Sequence, residues 1–363
     1  MTYSVVIAGG GTGGHLYPGI ALAKSLMKHD ANIQITFVGT QQGIESRVLP
    51  HEGFRLKTIW SGGLLGKKGI GRLINWLKLP VSLLQSMGYL LMNRPKLVVG
   101  VGGYVSGPLA LSAWVLRIPV LIHEQNTVPG ATNRWLAKIA DKVAITFEMS
   151  KKYFPAHKVV ETGNMIREEF TEAKAANIPA SEKFTVLILG GSQGARSINR
   201  ALIVALDTLE PLKDRLHFIH QTGQSDEAEV REGYKHKGFS ADAQAFIYDM
   251  VEQYRKASLV ICRSGATTLA EVTALGIPSV LVPYPFAAHN HQDHNARALE
   301  SNGAAQVILD KDVTGDQLGK VIRDSIEHPD ALREMGNKSF QMGRRDATER
   351  ARQLCTELMH SSN

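Results

Sequence analysis

Short apolar runs alternate with longer amphipathic segments along the whole chain. The most distinct runs occupy positions 5–8, 33–39, 97–100, 120–123 and 142–145 in the first half, and 185–189, 217–221, 245–247, 259–262 and 279–282 in the second. Short apolar runs separated by helical segments predict buried parallel strands that are joined by right-handed crossovers. We therefore expect an α/β protein built on parallel sheets.

A glycine-rich turn follows the first apolar run of each half. Gly9-Gly10-Gly11-Thr12-Gly13-Gly14-His15 precedes a helical pattern, and Gly190-Gly191-Ser192-Gln193-Gly194 does so in the second half. This repetition predicts two doubly wound, Rossmann-like domains with a deep cleft between them for ligands. We place the domains at residues 1–162 and 163–345. Residues 346–363 predict a C-terminal helix that can complete the first domain, although periodicity does not say which domain it packs on.

Composition narrows the classes of protein and partner. The 363 residues, 44% of them hydrophobic, suffice for two cores, and the formal net charge of +7 favours an anionic partner. Cys262 and Cys355 lack metal-ligand spacing and fit free thiols in a reducing compartment. The first strand leaves no room for a secretory signal, and no apolar run reaches the roughly 18 residues that span a bilayer. We expect a cytoplasmic protein whose contact with membranes is peripheral.

The first glycine turn also fits a dinucleotide-binding fold. Gly9, Gly11 and Gly14 satisfy the GxGxxG spacing of such loops. These loops normally need an acidic residue about 20 positions later, at the end of the second strand, to hold the adenosine ribose. That strand is followed here by Thr40-Gln41-Gln42, and the nearest carboxylate, Glu45, is expected on the next helix. A nicotinamide enzyme therefore stays as a competing interpretation that this position disfavours.

Two further segments can bind phosphate or ribose. The turn Gly102-Gly103-Tyr104-Val105-Ser106-Gly107 exposes amides that suit a pyrophosphate, or it lets a helix pack closely on the sheet. The segment Cys262-Arg263-Ser264-Gly265-Ala266 opens another helix whose first turn suits phosphate. One turn later, Glu271 can accept two hydrogen bonds from a ribose diol, or it is an ordinary surface glutamate.

Five separated motifs together resemble one family over essentially the whole chain. They are GGGTGGH near the N-terminus, GGYVSG, HEQN at His123–Asn126, GGSQGARSIN at Gly190–Asn199, and CRSGATTLAE. Their order is similar to that of the MurG family, the peripheral membrane N-acetylglucosaminyltransferases of peptidoglycan synthesis. The resemblance implies a GT-B fold and inverting transfer of N-acetylglucosamine from UDP-N-acetylglucosamine to undecaprenyl-pyrophosphoryl-N-acetylmuramoyl-pentapeptide. A glycolipid synthase or a UDP-sugar epimerase of the same fold, or a non-catalytic nucleotide-binding protein, is the alternative.

The resemblance also implies most of the substrate-binding residues. In the first domain, Thr12, Gly13 and Gly14 lie beside the donor sugar and the acceptor diphosphate, and Asn126 contacts the donor sugar. In the second domain the implied residues are Arg167 and the backbone of Ile247 for uracil, Ser192, Ala266, Thr267, Thr268, Leu269 and Ala270 for the phosphates, Glu271 for the ribose, and Gln292 for the sugar hydroxyls with Asn295 nearby. The family often has paired amides where this chain has His291-Gln292, so Gln292 keeps the role and His291 has none assigned.

Two residues are candidates for the base that an inverting transfer requires. His15 is the first, because a helix N-terminus disfavours imidazolium and leaves the ring able to accept a proton. Its alternative role is to position phosphate or sugar by a hydrogen bond. Glu124, beside His123, is the second candidate.

No metal or other cofactor is expected for the chemistry. The sequence has no Asp-x-Asp pair after a predicted strand, so backbone amides and helix dipoles are expected to stabilise the leaving diphosphate. The segment His289-Asn290-His291-Gln292-Asp293-His294 could bind a metal. Three histidines in one loop without a second cluster favour a substrate-contacting or solvated segment instead.

A basic and apolar segment predicts contact with a membrane surface. Apolar residues at 70, 73, 74 and 77 follow helical spacing and have basic neighbours. The residues singled out are Lys67, Lys68, Arg72, Ile74 and Trp76. Such a helix can lie on an anionic lipid interface, or its apolar stripe can be buried core. Because the implied acceptor carries a polyprenyl chain, we expect peripheral association with the cytoplasmic face of the cell membrane, and no nucleic acid partner, since no basic helix with interleaved aromatics is present.

Overall fold

The computed structural model describes residues 2–62, 70–171, 183–191 and 193–361, with backbone alone at 70–77. The strands are β1 (Tyr3–Ala8), β2 (Ile33–Gly39), β3 (Arg55–Thr58), β4 (Leu97–Gly100), β5 (Val120–Glu124), β6 (Lys142–Ile145), β7 (Val159–Glu161), β8 (Phe184–Leu189), β9 (Leu216–Gln221), β10 (Ala241–Gln244), β11 (Leu259–Cys262), β12 (Ser279–Leu281) and β13 (Gln306–Val307).

The α-helices are α1 (Gly13–His29), α2 (Glu45–His51), α3 (Ile70–Asn93), α4 (Ser106–Val115), α5 (Ala131–Leu136), α6 (Arg196–Leu209), α7 (Glu227–His236), α8 (Met250–Lys256), α9 (Ala266–Leu275), α10 (His291–Glu300), α11 (Gly315–Glu327), α12 (Pro329–Met342) and α13 (Ala347–His360). Short 3₁₀ turns occupy Glu148–Tyr153, Ala156–Lys158, Glu168–Phe170, Glu210–Arg215, Ala288–Asn290 and Asp310–Asp312. Lys67, Lys68 and Ser192 lie outside the described residues, as do the side chains of Arg72, Ile74 and Trp76.

The chain divides into two compact units. Unit 1 comprises Met1–Arg167 and Asp346–Asn363, and unit 2 comprises Glu168–Arg345. The division lies after Arg167 rather than after residue 162, because the intervening segment bonds to unit 1. Ile166 exchanges two hydrogen bonds with Thr348, at 3.0 and 2.7 Å. The backbone before Glu168 is therefore fixed on the first sheet and on the last helix.

Each unit contains one parallel sheet with the doubly wound strand order. In the described part of unit 1 the order is β3-β2-β1-β4-β5-β6-β7, and in that of unit 2 it is β10-β9-β8-β11-β12-β13. All the strand pairs are parallel. The predicted α/β class with two doubly wound domains is confirmed.

The glycine turns lie where the strand order reverses. Ala8 at the end of β1 pairs with Gly100 at the end of β4, and Leu189 of β8 pairs with Cys262 of β11. Ligands of doubly wound folds bind at this switch point, outside the carboxyl ends of the strands. The fold thus places two of the predicted loops side by side in each unit.

One predicted strand was wrong, and the strands β3, β10 and β13 were not predicted. The run 245–247 is not a strand, since β10 ends at Gln244. β10, β3 and β13 are edge strands. Their burial patterns include exposed positions, so they lack the continuous apolar run that marks a central strand. Apolar patterning therefore found the centre of each sheet and misjudged its edges.

The C-terminal helix α13 completes the core of unit 1. Ala351, Leu354, Cys355 and Leu358 are buried in one cluster with apolar residues of α1, including Leu22. The sequence left the packing of this helix open. Burial raises the pKa of the Cys355 thiol to about 12, so the side chain is a neutral apolar group in that core.

No helix within the described ranges, including α3, has the length and apolar character needed to cross a bilayer.

Replacing Leu354 by alanine is expected to destabilise unit 1 selectively. Loss of a buried leucine from a packed core costs about 2–5 kcal/mol. Hydrogen exchange should show faster opening of β1 and α1, while β8 and α6 of unit 2 keep their protection. The exposed Glu357→Ala on the same helix is the control and should change stability by no more than about 0.5 kcal/mol. Equal loss of protection in both units would contradict the packing of α13 on unit 1 alone.

Candidate functional site

The first glycine turn of unit 1 presents the N-terminus of α1. Gly11 has a positive φ of 85°, and the helix begins at Gly13 after Thr12, whose side chain makes no capping bond. The Thr12 carbonyl accepts from the amides of His15 and Leu16, at 3.3 and 3.2 Å. The first turn of a helix has amides without acceptors inside the helix, which suits an anionic group.

The buried carboxylate of Glu45, which the sequence placed on the helix after β2 without giving it a role, holds this turn. Glu45 is 0% exposed and accepts from Gly11 N at 2.9 Å and from the amide and hydroxyl of Thr40, both at 2.8 Å. Glycine is needed around it, because a Cβ at Gly10 or Gly43 would lie 2.4 or 2.0 Å from its carboxyl group. The Glu45 carboxylate thus bonds to groups of the protein itself. It does not serve as the ribose-binding carboxylate of a dinucleotide-binding loop.

The second glycine turn packs against the first. Ser106 is buried, and its hydroxyl lies 2.9 Å from the carbonyls of both Ala8 and Gly102. Gly103 has φ of 84°, and a Cβ there would lie 2.6 Å from the Gly10 carbonyl. Close packing, the alternative interpretation of GGYVSG, is therefore present in the structure.

Glu124, at the end of β5, is surrounded by hydrogen-bond donors. It is 2% exposed, and its oxygens accept from the amide and side chain of Asn126, from Gly130 N and from Asn133 Nδ2, at 2.9–3.3 Å. Burial raises the pKa of Glu124, and the four donors oppose that shift. The carboxylate fixes the loop that carries Asn126 and the start of α5.

His15 lies on the first turn of α1 and reaches the segment after β5. Its Nδ1 is 3.2 Å from Gln125 Oε1. The sequence identified His15 but missed Gln125, whose side chain is buried and also contacts Val101 and His123. Gln125 could have been singled out from its position in the HEQN motif, between the candidate residues Glu124 and Asn126.

Arg167 was expected in the second domain, and this was wrong. It is the last residue of unit 1, and its guanidinium carbon lies 5.9 Å from the centroid of the Tyr17 ring on α1. The bonds between Ile166 and Thr348 keep this segment on unit 1.

In unit 2, Gln221 connects the glycine turn that begins at Gly190 to Ile247, whose backbone was expected to bind uracil. Its Nε2 donates to the Gly191 carbonyl, and its Oε1 accepts from Ile247 N, both at 3.0 Å. Because the Ile247 amide is used in this bond, the carbonyl is the backbone group of that residue that can face a base. Sequence reasoning missed Gln221, which sits at the end of β9.

The helix α9 begins immediately after β11 and its short turn. Gly265 is the N-cap, and its carbonyl accepts from Leu269 N at 3.0 Å. The amide of Leu269, one of those expected to bind phosphate, therefore donates within the helix. Ala270 lies one residue further along the helix. The first-turn residues are Ala266, Thr267 and Thr268.

Glu271 is held by an aromatic residue of α8. The hydroxyl of Tyr254, which is almost fully buried, donates to Glu271 Oε2 at 3.2 Å. The half-buried carboxylate is thus oriented by the protein, unlike a freely rotating surface glutamate.

The start of α10 lies against the turn before α9. Ser264 donates to the Gln292 carbonyl at 2.8 Å, and Asn295 Nδ2 donates to the Ser264 carbonyl at 3.3 Å. Gln292 Oε1 accepts from Tyr284 N at 3.0 Å, which orients its NH₂ group as the end that can donate elsewhere. His291 instead places Nδ1 2.8 Å from the Ala288 carbonyl.

An ion pair that the sequence did not reveal joins the turns of unit 2. Arg263 Nη1 donates to Asp310 Oδ1 at 2.6 Å, and its Nη2 donates to Ser197 Oγ at 3.0 Å. Because Ser197 lies on α6, the pair fixes the start of α6 relative to the end of β11. In the described part of the chain, no three His, Cys, Asp or Glu side chains are grouped as a metal site would require.

Comparison with known proteins gives the family. Residues 5–145 match the glycosyltransferase family 28 N-terminal domain, and residues 185–351 match its C-terminal domain. The chain is 45% identical over 355 residues to a protein of Myxococcus xanthus, and the aligned region covers 98% of this chain and 93% of that protein. It is 44% identical to a protein of Geobacter sulfurreducens, covering 95% and 96%. Both relatives are named UDP-N-acetylglucosamine--N-acetylmuramyl-(pentapeptide) pyrophosphoryl-undecaprenol N-acetylglucosamine transferase.

Solved structures agree with this result. The crystal structure of Acinetobacter baumannii MurG superposes with a TM-score of 0.78 at 32% identity, covering 98% of this chain and 99% of that one. A UDP-GlcNAc 2-epimerase from Neisseria meningitidis superposes with a TM-score of 0.69 over 99% of this chain and 100% of that one, but at 14% identity it shares the fold alone. The two doubly wound units have the GT-B fold, and the chain belongs to the MurG enzymes of glycosyltransferase family 28.

Proposed function

We propose that this protein transfers N-acetylglucosamine from UDP-N-acetylglucosamine to undecaprenyl-pyrophosphoryl-N-acetylmuramoyl-pentapeptide, with inversion at the anomeric carbon. The observation that carries the proposal is the identity of 44–45%, over nearly the full chain, to relatives named for this transfer. The product would be the lipid-linked disaccharide pentapeptide of peptidoglycan synthesis. A UDP-sugar epimerase is the weaker alternative, since the epimerases share only the fold.

Unit 2 would bind the nucleotide through α9 and the residues around it. The amides of Ala266, Thr267 and Thr268 open the helix and suit the diphosphate. Glu271, oriented by Tyr254, would accept the two ribose hydroxyls. The NH₂ group of Gln292 would donate to a sugar hydroxyl, and Ser192 would meet the diphosphate.

The uracil would be held by the Ile247 carbonyl, which can accept from the ring N–H. This differs from a contact through the Ile247 amide, which Gln221 occupies. Arg167, whose guanidinium lies over the Tyr17 ring, would also contact the base. A guanidinium can donate to the uracil carbonyl oxygens.

Unit 1 would bind the acceptor diphosphate and the donor sugar. Thr12, Gly13 and Gly14 form the start of α1, where amides and the helix dipole favour an anion. Asn126 would contact the donor sugar, and Glu124 holds it in place by two hydrogen bonds.

The contacts of Glu124 favour His15 as the base. Burial raises the pKa of Glu124, but four N–H groups donate to its carboxylate, oppose that rise and engage both oxygens. We therefore assign Glu124 to positioning Asn126. His15 would take the proton of the acceptor hydroxyl as that oxygen attacks the anomeric carbon and UDP departs from the opposite face.

The chemistry would proceed without a metal ion. Amides at the starts of α1 and α9 would stabilise negative charge on the two diphosphates. The described residues contain no cluster of metal ligands.

Unit 1 would also contact the cytoplasmic face of the membrane. Exposed apolar side chains on α3 and α4 support this: Leu84 is 74% exposed, Met92 87% and Trp114 52%. Large apolar side chains exposed together on one unit favour contact with a partner or membrane. The basic residues Lys67, Lys68 and Arg72 precede or open α3 and would attract anionic lipids.

Transfer to the lipid-linked acceptor is the direct test of the proposed function. Labelled UDP-N-acetylglucosamine with the muramoyl-pentapeptide lipid should give the labelled disaccharide lipid and UDP. His15→Ala should lower kcat by about 100-fold or more if the residue is the base. Conversion of UDP-N-acetylglucosamine without acceptor would identify an epimerase instead, and near-normal turnover of His15→Ala would restrict the turn to binding.

Chelation with EDTA should leave transfer within about two-fold of its normal rate, because amides and helix dipoles stabilise the leaving group. The assay is run at saturating concentrations of both substrates, so that an effect on binding does not enter. Readdition of Mg²⁺ is the control. Loss of transfer on chelation, with recovery on readdition, would show that a metal takes part.

Replacing Lys67, Lys68 and Arg72 by glutamate should release the protein from anionic vesicles. At about 1 kcal/mol for each basic residue, partitioning should fall by about 100-fold or more in a sedimentation assay. Binding of UDP, measured by calorimetry, should be unchanged.

The matched control is the glutamate replacement of Arg215, Lys235 and Lys320, which carries the same charge change on exposed positions of unit 2. It should keep vesicle binding. Equal loss in both triple variants would mean that net charge, and not this segment, governs membrane contact.

A further inference from the structure

Polar side chains at the end of β5 alternate between two environments. His123 and Gln125 contact each other, whereas Glu124 between them bonds to Asn126 and Asn133. His123 and Glu124 are the last two residues of β5, and consecutive residues of a strand point to opposite faces, which separates their side chains. The side of His123 and Gln125 leads to His15.

The orientation of the Gln125 amide is fixed by its neighbours. Its Nε2 lies 2.6 Å from the Val101 carbonyl oxygen and 3.1 Å from His123 Nδ1. A carbonyl oxygen can only accept, so the NH₂ group must face it. The Gln125 oxygen therefore faces His15 Nδ1, at 3.2 Å.

His123 completes the pattern of donors and acceptors. It is 0% exposed, and burial lowers its pKa to about 4, so the ring is neutral at pH 7 and carries one proton. Its Nε2 lies 3.3 Å from the Gly163 carbonyl, which requires the proton there. His123 Nδ1 is then an acceptor, and it takes the second hydrogen of the Gln125 NH₂ group.

We propose that Gln125 is a positioning residue that fixes His15 as the tautomer protonated on Nδ1. The Val101 carbonyl fixes the orientation of the Gln125 amide, and the Gly163 carbonyl fixes the tautomer of His123. Together they determine which atoms donate and which accept from His123 to His15. The Gln125 oxygen accepts the His15 Nδ1–H, and the ring lone pair is consequently on Nε2.

The absence of a side chain at Gly102 leaves room for the His15 ring beside Gln125. A Cβ at Gly102 would lie 2.6 Å from His15 Nδ1, and the φ of 103° there favours glycine. The glycine thus permits the approach on which the Nδ1 contact depends.

The catalytic consequence rests on the proposed function, whereas the tautomer does not. As the acceptor oxygen bonds to the anomeric carbon, its proton moves to His15 Nε2, and the electron pair of the broken glycosidic bond leaves with UDP. The imidazolium keeps its Nδ1–H bond to Gln125 and later releases the Nε2 proton to solvent.

Long-range ¹H–¹⁵N correlation spectra of the full chain, labelled at histidine, test the tautomer directly. His15 is assigned by the signals that disappear in His15→Gln. In the unsubstituted protein, Nδ1 should have the shift of a protonated ring nitrogen and Nε2 that of an unprotonated one. The opposite pattern would overturn the proposal, and the shifts themselves are read on the unsubstituted protein.

Gln125→Leu then tests the cause. The His15 signals should shift towards the averaged tautomers of a solvated imidazole, kcat should fall by about 10- to 100-fold, and KM for UDP-N-acetylglucosamine should stay within about two-fold. Persistence of the Nδ1–H form in a folded Gln125→Leu would overturn the proposal. A changed tautomer with unchanged kcat would keep the tautomer assignment and reject His15 as the base.

The control is Asn133→Leu, which removes a buried amide that donates to the Glu124 carboxylate and to the backbone carbonyl of His123, rather than to the side chains of His123, Gln125 or His15. It should leave the His15 signals as they are. A tautomer change there would show that any loss of packing near β5 disturbs His15, and would overturn the specific role of Gln125.

Discussion

Buried polar groups at the strand ends must find hydrogen-bond partners, and the glycine turns of this protein depend on that requirement. Single buried side chains meet it: Glu45, Ser106 and Gln125 in unit 1, and Gln221 in unit 2. Each bonds to backbone or side-chain groups of segments that are distant in sequence. Loss of one partner would leave a buried group unpaired, at a cost of about 1–3 kcal/mol, so the turns are held in one arrangement.

The glycines serve these buried side chains as much as they serve a ligand. Gly10 and Gly43 leave the volume that Glu45 occupies, and Gly102 leaves that of the His15 ring. Glycine thus has two effects here: it exposes backbone amides to an anion, and it leaves space for an internal side chain. The two interpretations of the GGYVSG motif, phosphate binding and close packing, are therefore compatible.

The sequence was sufficient for the centre of each sheet, because central strands are apolar on both faces. It failed at the edges, where β10 has exposed polar positions and the predicted run 245–247 is not a strand. In the site, the glycine runs and motif residues could be proposed from the sequence, since their spacing is local. The role of Glu45 and the residue Gln221 were missed because both depend on contacts between distant segments. Arg167 was placed in the wrong unit because Thr348, which anchors its neighbour Ile166, lies near the other end of the chain.

The return of α13 to the first sheet makes unit 2 an insertion within unit 1, joined to it by two peptide connections. During synthesis, the ribosome therefore releases all of unit 2 before the helix that completes the core of unit 1. Unit 2 can fold as a continuous segment, whereas unit 1 must keep an exposed apolar surface on α1 until the last helix emerges. The core of the N-terminal unit can therefore be completed only after the whole of unit 2 has been synthesised.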